Sequence, residues 1–419
     1  MIDRYRVVDE LDFERLAGSD GEERAREIIT GYLSKVGVEF EVEPFEFHGF
    51  DAGEAEISAG GKTVAATPFG LEPSGTIEGE LVYLEHPDII SYNTGAYAGK
   101  VVLGFGLSRG LHDILGESDV AAYIAISSPH KGATSLSHRQ KRYEEKLSVP
   151  CMTVSYEDGM ELASRAGSAA RVSIDQTVER RTAHNVVVDL GEPALDENLV
   201  YLVAHYDSVA RSHGSTDNAA GTACVLQLVE DLAALPLKRR LRVAFFSGEE
   251  LGLLGSFAHV EKHEEEIRSR GRFVLNLDVA GDPVGQDTFH VLGTREIAGY
   301  VAGVAREAGY QLGEKLGVYS SDNVPFAVHE IPSVSIARGA GVGSYFLHTA
   351  DDVAKHVAPP GLDSPYFAAK AVLARVLDAG IFPVRKEIDD SMKDRLEKYL
   401  YRVTVGKPEL KWRESFKKA

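Results

Sequence analysis

After Arg180 the chain settles into a regular alternation of short apolar runs and helical stretches. AHNVVVDL, LVYLVAH, LRVAFFS, RFVLNLD and IPSVSIA read as strands. AAGTACVLQLVEDLAAL, GLLGSFAHVEKHEEEIRSR, TREIAGYVAGVAREAG and, last, SPYFAAKAVLARVLDAGIF read as helices. Strands that are apolar at nearly every position need cover on both faces. The pattern therefore predicts an α/β fold with a mixed, mostly parallel sheet flanked by helices.

Upstream the texture differs. GSDGEERAREIITGYLSKVG has helical spacing through Ala25, Ile28, Ile29, Tyr32 and Leu33, with Ser19-Asp20 as a cap and Gly37 as a stop. EFEVEPFEF then alternates like a strand. From 50 to 176, short strand-like pieces (GELVYLEH, GKVVLGFG, VAAYIAIS, VPCMTVS, ARVSID) are separated by Gly-rich turns, with one helix, DGMELASRA. This predicts a separate β-rich unit. Its charged stretch HRQKRYEEKL reads as a solvated loop. The expected division is 1–49 with 177–385 as one α/β domain, 50–176 as an insertion, and 386–419 as a charged, helical tail with Leu396, Leu400 and Val403 on one side.

Among 419 residues the formal net charge is -19, which disfavours nucleic acid and anionic membrane as partners and favours cations. No run approaches the ~20 apolar residues of a membrane span. The charged opening MIDRYRVVDELDFERL lacks an apolar signal region, and the chain reads as cytoplasmic. Two cysteines, Cys151 and Cys224, are too few for a disulfide framework or a thiolate zinc site.

Chemistry gathers where the strands end. In open α/β sheets, ligands bind beyond the carboxyl ends of the strands. LVYLVAH ends in His205 with Asp207 beyond it, LRVAFFSGEE in Glu249 and Glu250, and RFVLNLD in Asp278. Asp217 precedes a helix in TDNAAG, and His348 lies in the late loop FLHTADD. Singly, each has an ordinary reading: an N-cap, a turn, a solvated histidine. His213, His259, His263 and His329 are left at that reading. Together, His205, Asp217, Glu250, Asp278 and His348 offer nitrogen and oxygen donors for two divalent ions, zinc first, with cobalt or manganese also suited. If Asp217 bridges, each ion has three protein ligands and a place for a shared water, made acidic near neutral pH. Glu249 fits a general base that later protonates a leaving amine. Asp207 fits the acceptor that fixes the His205 tautomer.

These stretches resemble the M28 family of zinc aminopeptidases, whose motifs correspond here to AHYDS, TDNAAG, GEELGLLGS, NLDVAG and LHTADD, over about 181 to 383. The resemblance implies one metal on His205 and Asp278, a second on Glu250 and His348, Asp217 as the bridge, Glu249 as base and Asp207 as support. It also implies a cis bond at Asp217-Asn218. The insertion resembles a protease-associated (PA) domain through GKVVLGFG, AAYIAIS and VPCMTVSYEDGMEL. Two departures stand out: Asn323 in SSDNVPF replaces the family's histidine, and Ala220 its serine. Some relatives carry a tyrosine immediately before the last histidine, where Leu347 stands here. Tyr345, Tyr319 and Asn323 are the candidates for the substrate pocket.

The leading expectation is a two-metal hydrolase that removes N-terminal residues from peptides. A second enzyme reading is a dipeptidase, carboxypeptidase or N-acyl-amino-acid deacylase on the same site. Glutaminyl cyclisation on a related fold uses one zinc, and the presence of both His205 and Asp278 argues against it. A non-catalytic binding platform predicts no bound metal. A homo-oligomer is left open.

Overall fold

A computed structural model describes residues 2–72, 74–107, 111, 114–115, 118–134 and 149–403. Its strands are β1 Glu41–Phe50, β2 Glu54–Ala59, β3 Lys62–Pro68, β4 Gly75–Leu84, β5 Val101–Phe105, β6 Ala122–Ile126, β7 Cys151–Val154, β8 Ala169–Asp175, β9 Val178–Leu190, β10 Leu199–His205, β11 Arg240–Phe246, β12 Gly271–Leu277, β13 Gln286–Leu292, β14 Gly313–Leu316 and β15 Ser333–Gly339. Eight of them form one sheet in the order β1-β9-β11-β10-β12-β15-β13-β14. The other seven close a barrel in the order β2-β3-β7-β6-β5-β4-β8. The fold class expected from the alternation is the one observed, a mixed α/β sheet beside a β-rich unit.

The parallel heart of the sheet is β11-β10-β12-β15. Every residue of β10 is buried, because both faces are covered. Val200, Leu202 and Ala204 face helices Asp20–Val36, Ala220–Ala233, Arg295–Glu307 and Pro359–Asp378, while Leu199, Tyr201 and Val203 pack with Val260, Ile267 and Phe326 on the other side. The chain leaves β10 for β11 on one flank and returns to β12 on the other. That reversal opens a crevice beyond the carboxyl ends of β10 and β12, the place where such sheets bind ligands.

Local signals account for most boundaries. Ser19 accepts from Glu22 N at the start of helix Asp20–Val36, and Gly37, with φ 84°, ends it. GLLGSFAHVEKHEEEIRSR divides into two helices, Leu254–Lys262 and Glu264–Arg270, with His263 between them outside helical geometry. Strand β13, from QDTFHVL, was not anticipated; it runs antiparallel to β15, as β9 does to β11 and to β1, so the sheet is mixed on both sides of its parallel centre. Helix Asp390–Val403 buries Leu396 and Leu400 with Phe257 and Val324 in a separate apolar cluster. HRQKRYEEKL and the residues after 403 lie outside the described residues. Among the described residues, no helix is long and apolar enough to cross a membrane.

The barrel has its own core of Ile57, Leu81, Leu103, Ile124, Met152 and Val172. It is spliced between β1 and β9, which pair antiparallel from Glu41↔Val187 to Phe50↔Val178.

One buried cation braces the approach to the crevice. Arg15 is fully buried and donates to the carbonyls of Tyr206 (2.6 Å), Leu11 (2.7 Å), Phe13 (3.0 Å), Gly214 (2.9 Å) and His213. Each buried carbonyl stripped of its partner costs ~1–3 kcal/mol. Arg15→Met is therefore expected to lower unfolding stability by at least ~3 kcal/mol, read from urea denaturation. A loss below ~1 kcal/mol would mean that other donors take over these carbonyls.

Candidate metal centre

The five expected donors converge. His205 Nε2 lies 3.2 Å from Asp217 Oδ1 and 3.3 Å from Asp278 Oδ1. His348 Nε2 lies 3.4 Å from Asp217 Oδ2 and 3.2 Å from Glu250 Oε2. Two triads thus form, His205–Asp217–Asp278 and Asp217–Glu250–His348. Asp217 belongs to both, turning one oxygen to each imidazole.

These spacings carry chemical information. Two ligands on arms of ~2.0–2.1 Å at a tetrahedral ion stand about 3.3–3.4 Å apart. The observed 3.2–3.4 Å matches that figure and exceeds an ordinary charge-assisted hydrogen bond. A third triad among the described residues shows the contrast. His259 Nδ1 and His263 Nε2 approach the Glu43 carboxylate to 2.7 and 2.6 Å, and Lys262 Nζ reaches the same carboxylate at 3.0 Å. That is proton sharing and ion pairing. His259 and His263 are therefore not solvated as expected but are drawn in by the buried Glu43, without forming a metal site.

Each donor is positioned by the fold. His205 closes β10, and Asp278 follows β12 on the neighbouring strand. Asp207 Oδ1 lies 3.4 Å from His205 Nδ1. The same carboxylate accepts the backbone N–H groups of Glu249 (3.2 Å) and Glu250 (3.3 Å), so it ties the loop after β11 to the end of β10. Glu249 belongs to neither triad. The Asp217–Asn218 peptide is cis. Asn218 donates to Leu277 O (2.8 Å) and accepts from Val279 N (3.2 Å) and Gly221 N (3.1 Å), stitching the Asp217 segment to the end of β12. A Cβ at Gly221 would stand 2.1 Å from Asn218 Oδ1, so only glycine permits this approach. Val279 and His348 hold left-handed backbone (φ 67° and 61°), a conformation costly for a β-branched residue and concentrated at functional sites.

Several supports were not foreseen. Asp352, buried, accepts from Thr216 N (2.8 Å) and Asp217 N (3.2 Å). Asp282 accepts from Gly343 N (2.6 Å) and Ser344 N (2.8 Å) and so fixes the loop that carries His348. Asp322 is buried next to the expected pocket residue Asn323. Asp352 lies in the same TADD stretch as His348, and Asn218 adjoins Asp217, so proximity to a ligand was the available signal. Asp282 likewise follows Asp278 by four residues and Asp322 lies in SSDNVPF; Arg15 had no such signal.

The pocket candidates divide. Asn323 is fully buried and spends its amide on Ser333 (2.7 Å) and Ser335 (3.0 Å), so it stands behind β15 and not in a substrate pocket. Tyr345 donates its hydroxyl to Pro129 O in the barrel unit. The Tyr319 ring lies 4.4 Å from that of His290. Burial raises the Tyr319 hydroxyl well above its ordinary pKa, and the charges of Asp278, Asp217 and Glu249 add to this.

The electrostatics are those of a site short of positive charge. Burial opposes a proton on His205, yet Asp207, Asp217 and Asp278 raise its pKa well above the ordinary value. Around His348 burial again opposes, and Glu250 with Asp217 more than reverses it. Burial pushes the Asp217 carboxyl up, but hydrogen bonds to His205 and His348 hold it below the usual range. Glu249 is raised well above that range, first by burial and then by Glu250, Asp278 and Asp322, against the pull of His205. Asp352 and Asp322 are each pushed to about 7, chiefly by burial. Glu250 Oε1 is buried without a hydrogen-bond partner. An excess of dry carboxylate, two imidazoles and an orphaned oxygen fit two divalent cations. If Asp217 is common to both, Asp217→Ala is expected to lower metal content from about two ions per chain to none, read by elemental analysis. Loss of one ion alone would show that the two positions are independent.

Residues 185–372 match the model of peptidase family M28. Aminopeptidase YwaD of Bacillus subtilis (strain 168) is 25% identical over 394 residues, covering 89% of this chain and 82% of its own length. Leucine aminopeptidase 2 of Trichophyton equinum is 28% identical over 289 residues, covering 64% of this chain and 55% of its own, so the chain spans about half of that relative. Among solved structures, an aminopeptidase from Aneurinibacillus sp. strain AM-1 has a TM-score of 0.69 at 23% identity, covering 88% of this chain and 92% of the other. BSAP, a zinc aminopeptidase from Bacillus subtilis, has a TM-score of 0.74 at 21% identity, covering 92% and 98%. At those identities the structural likeness shows the fold.

Proposed function

From the premise that residues 185–372 are a peptidase family M28 domain, we propose that this chain is a metal-dependent aminopeptidase that removes N-terminal residues from peptides. The observation that carries this reading is the shared carboxylate: Asp217 turns one oxygen to His205 with Asp278 and the other to His348 with Glu250. The names of YwaD, the Trichophyton leucine aminopeptidase and BSAP support it. His205 and Asp278 would hold one ion, Glu250 and His348 the other, and Asp217 both. Bound there, two divalent cations, zinc first, supply Lewis acidity to a substrate carbonyl and acidity to a water.

The remaining roles fall to side chains. Glu249 takes the proton from the attacking water as its oxygen bonds to the scissile carbonyl carbon. It returns that proton to the amide nitrogen as the C–N bond breaks. Asp207 fixes the His205 ring and, through its two backbone contacts, the position of Glu249 and Glu250. The negative crevice receives the free α-ammonium of the substrate. Tyr319 is the better donor for the oxyanion, because the single hydroxyl proton of Tyr345 is committed to Pro129 O. In the same reading, residues 50–176 are a PA-like insertion in a peptidase domain of 1–49 and 177–385, with 386–419 as a tail. Cytoplasmic residence is part of the same reading.

Glu249→Gln is expected to keep both ions and lose about 10²–10⁴-fold in kcat on aminoacyl-anilides. Near-normal turnover would place the base elsewhere. Equal cleavage of N-acetylated and free-amine peptides by the wild type would remove the aminopeptidase label in favour of a deacylase or another amidase. Tyr319→Phe should lower kcat by about 10²-fold with KM little changed, and an unchanged kcat would exclude it as oxyanion donor.

A further inference from the structure

The barrel unit reaches the loop that carries His348. Its segment Ser127–Thr134 leaves β6 as a braced turn. Thr134 N donates to Ser127 Oγ (2.9 Å), Thr153 Oγ1 donates to Thr134 O (2.6 Å), and His130 takes left-handed backbone at φ 64°. Pro129 O accepts the Tyr345 hydroxyl. Beside it, Lys131 Nζ stands 4.6 Å from the centroid of the Tyr345 ring. Tyr345 ends the short helix Val342–Tyr345, three residues before His348, and Gly343 in that helix packs on Thr216, the neighbour of Asp217.

Lys131 is unusual in its company. It is half-buried, and among the described residues no carboxylate pairs with it, in a chain of net charge -19. Burial lowers its pKa, and no acid opposes that effect. Its aromatic contact orients the ammonium without neutralising it. The nearby crevice is lined by Asp217, Glu249, Glu250 and Asp278, which welcome a substrate ammonium and repel a substrate carboxylate. A short peptide carries both groups.

Resting on the aminopeptidase reading, we propose that Lys131, delivered by the inserted barrel, is a specificity-determining residue that anchors a substrate carboxylate, so that the enzyme favours short peptides with a free chain end. The carboxylate has two possible sources, the C-terminus of a dipeptide or tripeptide and an acidic side chain after the scissile bond. Lys131 donates to either and touches no reacting atom.

The test uses the full chain loaded with zinc and three substrates, Leu-Gly, Leu-Gly-NH2 and Leu-Glu-NH2. The readout is the ratio of kcat/KM for each carboxylate-bearing peptide to that for Leu-Gly-NH2, so that a general loss of activity cancels. In the wild type the ratio for Leu-Gly should be about tenfold or more, carried by KM, fall toward one in K131M, and be largely retained in K131R. If the ratio for Leu-Glu-NH2 falls in K131M instead, the side-chain carboxylate is the one held. If neither ratio changes in an active K131M enzyme, the proposal is overturned and the aminopeptidase reading stands. If the wild type with two ions cleaves none of the three, nor leucine anilide, the aminopeptidase reading itself fails.

Discussion

Carboxylates crowded into a dry crevice repel one another, and the structure around the strand ends is organised to hold them there. Asp207, Asp217, Glu250 and Asp278 meet with their side chains almost wholly withdrawn from solvent. Among the described residues, the two imidazoles and Arg15 oppose that charge. Burial lowers Arg15 to about 10, against the pull of Asp352, Asp207, Asp217 and Asp12, and at that value it still carries its charge at neutral pH. Its guanidinium spends its hydrogen bonds on carbonyls, so its charge is felt across the cluster without occupying a carboxylate oxygen. The carboxylate oxygens stay available, and in the proposed reading a divalent ion held there would supply the larger share of the missing charge.

Holding such a cluster takes backbone as well as side chains. Asp207 grips two consecutive amides of the loop after β11, Asp352 two in the Asp217 segment, and Asp282 two in the loop before His348. In each case a buried acid converts a loop into a fixed position relative to the sheet. The strand reversal around β10 sets the crevice coarsely; these paired contacts set it to the few tenths of an ångström that ion coordination demands. The Glu43–His259–His263 group is a useful comparison. It has metal-binding residue types, yet its contacts are short and a lysine shares its carboxylate, so it serves as an ion-paired clasp between β1 and helix Leu254–Lys262.

The fold class was legible because β10, β11, β12 and β15 are apolar along their whole length, which only a doubly covered sheet explains. Four of the five candidate donors were legible because they close or follow strand ends or precede a helix, where local spacing gives their place; His348, in a loop, was marked by its residue type and its LHTADD stretch. Less regular features escaped. Strand β13 is half-exposed, and its alternation is broken by Asp287, a polar residue on the buried face, so QDTFHVL gives only a weak period-2 signal. The break at His263 lies within a run that has good helical spacing. Asn323 looked like a pocket residue from its place in the motif, whereas its side chain is drawn into β15 by two serines ten and twelve residues away. Arg15 lies almost two hundred residues from the carbonyls of Tyr206, His213 and Gly214, and no local pattern records such a contact.

The splice between β1 and β9 has a consequence for how this architecture can vary. Phe50 and Val178 are partners across a ladder, and Asp51 and Thr177 continue the pairing by one more bond. The whole barrel therefore stands where a hairpin needs only a tight turn. A module attached through two adjacent strand ends can be enlarged, exchanged or trimmed without rethreading the sheet. The α/β sheet and the barrel are thus free to diverge at separate rates.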